Sequence, residues 1–137
     1  MAWTTPKTNW VSTDRFKIGD FNRIKNNIVI IYDMARTVFN RVYIIEPMGD
    51  DITTYTPTWS VQYFNAIENN VDVINRNGYN YDIGQKQTFY GNGAFITARE
   101  LNRIESFAQT YYDKIKPIYD EMPRVPFTLG AYRNVKI

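Results

Sequence analysis

The chain has 137 residues, 44% apolar and 22% charged, with a net charge of +2. That is the size of one domain with a core of its own, without the low hydrophobicity of a disordered tail or the clustered basic stripe of a nucleic-acid surface. It has no cysteine and no histidine, which excludes disulfides, thiolate nucleophiles, Cys/His metal centres and histidine-based catalytic triads.

Met1-Ala2-Trp3-Thr4-Thr5-Pro6 has no apolar h-region and does not read as a signal peptide. Residues 1–17 read as an extended arm. The first helical pattern follows: Phe21, Ile24, Ile28, Ile31, Ala35 and Val38 recur at the 3,4 spacing of one helix face. Its start is marked less sharply than the others, at Ile18 or Gly19, with Asp20 suiting the positive end of the helix. Its end is ragged, through Val42-Tyr43-Ile44-Ile45-Glu46, with Pro47 as the stop. The longest aliphatic run, Ile28–Ile31, is far short of the roughly 20 residues a membrane span needs, so no membrane insertion is expected.

Residues 47–58 form a polar loop. The second pattern is Phe64, Ile67, Val71 and Ile74, with Ser60 as candidate N-cap and Asn77-Gly78 as the close. A Tyr-, Gly- and Asn-rich loop spans 78–96. Within it, Thr88-Phe89-Tyr90 and Ala94-Phe95-Ile96 flank Gly91-Asn92-Gly93, which predicts a short β-hairpin. The third pattern is Leu101, Ile104, Ala108, Tyr111, Ile115 and Ile118. Thr97 and Glu100 are placed as a capping box, and Pro117 is expected to kink or divide the helix near Lys116. Val125–Gly130 reads as extended. The expected fold is therefore mainly α: one domain over 1–137, a three-helix bundle with a short β-hairpin and extended N- and C-terminal segments.

The three helical patterns open on one motif. Phe21-Asn22-Arg23-Ile24, Phe64-Asn65-Ala66-Ile67 and Leu101-Asn102-Arg103-Ile104 align, with 43 residues from Asn22 to Asn65 and 37 from Asn65 to Asn102. A repeat of this period implies repeated supersecondary units sharing one core. The apolar residue and the Ile three positions on face inward. The Asn lies at the edge of the stripe, where its amide can bond the backbone of an incoming loop. An upstream aromatic (Phe16, Trp59, Phe95) can pack over the first turn like a hydrophobic staple.

The wording of Thr8-Asn9-Trp10, Thr13-Asp14-Arg15-Phe16 and Asp20–Asn27 resembles the start of small tail-region structural proteins of tailed bacteriophages and prophages of Gram-positive bacteria. Glu100-Leu101-Asn102-Arg103-Ile104-Glu105 is similar to a helix opening of phage tail-fibre and baseplate-associated proteins. The middle copy departs, with Ala66 in the Arg position. The resemblance implies a non-enzymatic virion protein of the tail region, assembled in the host cytoplasm. It would act by protein–protein assembly with other virion proteins and as a homo-oligomer, a trimer or a ring.

Few residues offer chemistry. Asp50-Asp51 are adjacent in a loop without EF-hand spacing. Glu100 and Glu105 fall on different faces of one helix, and Gly91-Asn92-Gly93 lacks the phosphate-loop pattern. No catalytic residue, cofactor, metal or nucleic-acid partner is expected. The alternative function is a host-surface saccharide-binding module, resting on Tyr79, Tyr81, Phe89 and Tyr90, whose rings suit stacking on a sugar or a protein partner. The competing reading of the same aromatics is that they fill the space over a small bundle.

Overall fold

The computed structural model describes residues 2–51, 61–90 and 96–122. Three helices form the described fold: α1 (Ile18–Phe39), α2 (Val61–Arg76) and α3 (Ala98–Glu121). All three pack against one another. The mainly helical bundle read from periodicity is the observed architecture, and no helix is long and apolar enough to cross a membrane among the described residues.

The stripes meet as the 3,4 spacing requires. Phe21, Ile24, Ile28, Ile31 and Ala35 of α1, Phe64, Ile67, Val71 and Ile74 of α2, and Leu101, Ile104, Ala108, Tyr111 and Ile115 of α3 are buried in one cluster. Ile118, expected to continue the third stripe, is instead 43% exposed in the last turn. Trp10, Met34, Met48, Ala66, Ile96 and Phe107 complete the core among the described residues.

Helix ends differ from expectation in detail. The Lys17 N–H donates to Asp20 Oδ2 at 2.9 Å, so Asp20 satisfies a free donor at the start of α1. Thr97 stands at the N-cap of α3 without a side-chain cap bond. Its expected partner Glu100 is taken by Arg103 Nε at 2.8 Å instead. Helix α1 stops earlier than the ragged pattern suggested, at Phe39, with Asn40 in the left-handed region at φ 52°. Pro117 lies inside α3 and does not divide it. Ser60 lies outside the described residues.

Between the helices run extended straps, not sheet. No strand occurs among the described residues. The segment 91–95, which carries the centre of the predicted hairpin, and the extended stretch 125–130 lie outside them. The first arm of that hairpin is described, and it is no strand for a physical reason: both backbone polar groups of Phe89 are taken by the side chain of Asn65.

Two glycines allow close approach. Gly49, at φ +85°, lies against the Tyr63 ring, and a Cβ there would come within 2.9 Å of it. A Cβ on Gly78 would lie 2.3 Å from the Tyr111 hydroxyl, so the close of α2 is also where the bundle admits Tyr111.

Candidate functional site

The polar side chains of this core do one job repeatedly. Asn carries a donor and an acceptor side by side, like a backbone residue in a β-bridge. Among the described residues, five Asn side chains use both on the backbone of one strap residue each. Asn102 of α3 accepts from Trp10 N at 2.7 Å and donates to Trp10 O at 2.9 Å. Asn27 of α1 holds Thr4 at 3.1 and 2.7 Å. Asn70 holds Glu46 at 2.7 and 2.8 Å. Asn65 holds Phe89 at 2.7 and 3.0 Å. Asn75 holds Tyr81 at 2.8 and 2.7 Å. Asn27, Asn70 and Asn75 are buried, while Asn65 and Asn102 are half-buried.

Among the described residues, the motif residues Asn65 and Asn102 are strap anchors, but each holds the strap that leads into another helix, Asn65 the one before α3 and Asn102 the one before α1, not the loop entering its own; Asn22 is half-buried near the start of α1. The opening motif did not disclose the second series, Asn27 and Asn70, five residues further on. Five residues turn a helix by about 500°, so the two amides point about 140° apart and hold different straps. On α2, Asn65 takes the strap after the helix and Asn70 the strap before it. The signal was visible as Asn22/Asn27 and Asn65/Asn70; the third copy breaks it with Phe107.

A second layer joins the helices. Arg23 of α1 donates Nε and a terminal nitrogen to the two oxygens of Glu105 on α3, both at 2.8 Å, and another to Asp20 at 2.8 Å. The same carboxylate accepts from Trp10 Nε1 at 2.6 Å and from Lys7 N at 3.1 Å. Arg103 of α3 repeats the pattern one helix on, pairing with Glu100 at 2.8 Å and with Glu68 of α2. Burial works to lower both guanidinium pKa values. The bonds from Glu105 and Asp20, and from Glu68 and Glu100, outweigh it and hold both above the usual value.

In the aligned copies Arg23, Ala66 and Arg103 are equivalent, as are Lys25, Glu68 and Glu105. The cycle runs Arg23 to Glu105, then Arg103 to Glu68; its third step would run from position 66 to position 25. There the cation has become Ala66 and the anion has become Lys25, both buried. An Arg at 66 would face a like charge, so the two departures match each other. Lys25 turns to Asp51 and to Asn26 Oδ1 instead. Its bond holds the Asp51 carboxyl below its ordinary value.

The equivalence extends to the straps. Trp10, held by Asn102, corresponds to Phe89, held by Asn65. Phe has no indole N–H, and Glu68 Oε1 is correspondingly buried without a partner, whereas both oxygens of Glu105 are served.

The carboxylates considered for acid/base work are therefore engaged: Glu105 and Glu100 in the ion-pair belt, Asp51 with Lys25. Asp50 is exposed. No group of three or more metal-ligating side chains occurs among the described residues.

The four aromatics read as a partner or glycan surface are not gathered on one face. Tyr79 packs between Phe39, Tyr81 and Tyr111, with ring centroids 5.1, 5.4 and 5.1 Å away. Tyr81 is half-buried and fastened by Asn75. Phe89 sits edge-on to Phe64 at 6.4 Å. Tyr90 alone of the four is exposed, at 68%. Burial raises the Tyr79 and Tyr111 pKa values and pushes Tyr43 up to about 12, with neighbouring tyrosines adding to each shift. The hydroxyls of all three are buried without a partner.

No family model, curated protein or solved structure matches this chain in comparisons with known proteins.

Proposed function

We propose that this domain is a non-enzymatic structural or adaptor protein of a phage tail or baseplate, working by assembly with other virion proteins and with further copies of itself. The observation that carries the reading is the use of the buried polar groups. Five amides and two Arg–Glu pairs fasten extended straps to helices and helices to one another. That is the economy of a scaffold, in which polar groups fix backbone position. The wording of residues 8–27 and 100–105 directs the scaffold reading to the tail region. Val42 and Ile44, 101% and 87% exposed on one strap, offer apolar surface for a neighbour.

Mass spectrometry of purified particles tests the reading: the chain is expected among the tail components, and its absence from particles sinks it. The saccharide-binding alternative rests on less. Three of its four rings lean on the core or its straps, and Tyr90 is left as the outward one. Loss of cell binding in Tyr90→Ala, with an unchanged melting temperature, would favour that alternative.

A further inference from the structure

The strap leaving α1 carries a β-edge with one rung filled and two open. Over residues 41–46 the side chains alternate as in a strand: Tyr43 and Ile45 lean on the core, whereas Val42, Ile44 and Glu46 are exposed. In such a segment the N–H and C=O of one residue point to the same side, and alternate residues share that side. The Tyr43 carbonyl accepts from Tyr32 Oη of α1, which turns the odd residues toward α1. Glu46 N and O meet Asn70 of α2 at 2.7 and 2.8 Å, which turns the even residues toward α2. Asn70 thus acts as the β-bridge partner of residue 46. Ile44 and Val42 are the next two rungs on that side. Their N–H and C=O groups have no hydrogen-bond partner among the described residues.

The open rungs border a groove of about 310 Å³ on the face of α2 turned away from the core, lined by Ile44, Asn69, Val73 and Lys86 among others. The acids around it are engaged. Asp72 pairs with Arg76 at 3.0 Å, and Glu46 Oε2 accepts from Asn69 Nδ2 at 3.0 Å. Two cations are not. Lys86, in the groove, and Arg41, at the start of the strap, have no acidic partner among the described residues. An unpaired strand edge, exposed apolar side chains beside it and unanswered positive charge therefore fall in one place.

We infer that this edge takes an extended, acidic segment of a partner protein. The segment adds a strand beside residues 42–44, lays apolar side chains on Ile44 and Val73, and turns carboxylates toward Lys86 and Arg41. The inference rests on the proposed assembly role and names the chemistry of one partner. Main-chain bonds to Val42 and Ile44 give the pairing, and the two cations select the charge. A second copy's strap does not suit the edge. Its own open rungs face its own α2, so two such edges would bring helix against helix before they met.

The probe is an acetylated, amidated hexapeptide alternating glutamate and valine, titrated into the full chain and followed by amide NMR. The resonances of Val42, Ile44 and Val73 are expected to move on one saturation curve, and the Val42 and Ile44 N–H groups to exchange several-fold more slowly at saturation. A lysine–valine peptide is expected to bind several-fold more weakly. No movement at these amides up to millimolar peptide, or equal binding of the two peptides, overturns the inference. A pair of variants separates edge from side chain. Ile44→Ala keeps the open N–H and Ile44→Pro deletes it, so both are expected to melt like the parent, with the proline variant binding several-fold more weakly than the alanine one. Equal binding by the two variants overturns the strand pairing. Protection of Val42 and Ile44 that appears in the chain alone as its concentration rises gives the edge to a second copy and overturns the partner assignment. Peptide binding by a chain missing from particles would defeat the tail reading alone, whereas a virion protein whose edge ignores the peptide would defeat this inference alone.

Discussion

Asn70→Asp isolates the clamp, because it changes one donor to an acceptor at nearly constant shape. Asn70 is 1% exposed, with Nδ2 2.8 Å from Glu46 O and Oδ1 2.7 Å from Glu46 N. Aspartate keeps the second bond. It loses the first and sets a carboxylate oxygen against a carbonyl oxygen. One lost bond, an unsatisfied carbonyl and a buried charge together cost about 3 kcal/mol. With an unfolding entropy of about 0.3 kcal/mol per degree for a chain of this length, the melting temperature should fall by about 10 °C at pH 7.

The sign of its pH dependence is diagnostic. Burial against a carbonyl raises the new carboxyl's folded pKa above the unfolded value, since its protonated form donates to Glu46 O. The stability deficit is therefore full at neutral pH, shrinks as pH falls through the folded pKa, and is smallest near the unfolded value of about 4. Asn70→Ala should show a deficit without that recovery. Thermal melts of the three proteins between pH 4 and 7 check it. An Asn70→Asp variant melting within about 2 °C of the parent at pH 7, or one that weakens further on acidification relative to it, would refute the clamp reasoning.

Tyr111→Phe removes a buried, unpartnered hydroxyl and should leave stability unchanged or raise it by about 1 kcal/mol in denaturant titration. It should also blunt the cost of Gly78→Ala, since one of the two closest atoms to the added Cβ is that hydroxyl. Alkaline unfolding follows from the raised Tyr43, Tyr79 and Tyr111 pKa values: stability is intact below the unfolded value near pH 10, falls as pH rises toward 12, and falls less in Tyr111→Phe. Lys25→Glu and Ala66→Arg should each destabilise, and the double variant should lose less than the two single costs together, with a favourable coupling of about 1–3 kcal/mol; additivity would mean that positions 25 and 66 do not face each other.

Much of this arrangement could be read before the fold was known, because period and pattern are local properties. The 3,4 spacing of Phe21–Ala35, Phe64–Ile74 and Leu101–Ile115 names the buried face of each helix, and the Asn after each opening apolar residue identifies strap anchors at Asn65 and Asn102. What escaped depends on partners remote in sequence. Trp10 is core only because Asn102 and Glu105, 92 and 95 residues away, hold its backbone and indole. Glu105 looks like any exposed helix acid until Arg23 is placed beside it. The substitution at Ala66 looks like decay of the motif until it is set against Lys25 in the neighbouring copy. The Thr97–Glu100 box does not form because the capping bond competes with the guanidinium of Arg103, which donates Nε to Glu100, and the charged partner wins. Tyr79 and Phe89 were ambiguous on composition, since exposed and buried aromatics look alike in a Gly/Asn-rich loop.

Amide hydrogen exchange tests the clamp account most directly. The N–H groups of Thr4, Trp10, Glu46, Tyr81 and Phe89 lie outside the helices yet donate to buried or half-buried Asn oxygens. They should exchange far more slowly than the strap neighbours Thr5, Asn9, Arg41 and Thr88. Protection at those five positions, lost at Glu46 alone in Asn70→Ala, is the predicted result. Exchange at the rate of their neighbours would contradict it.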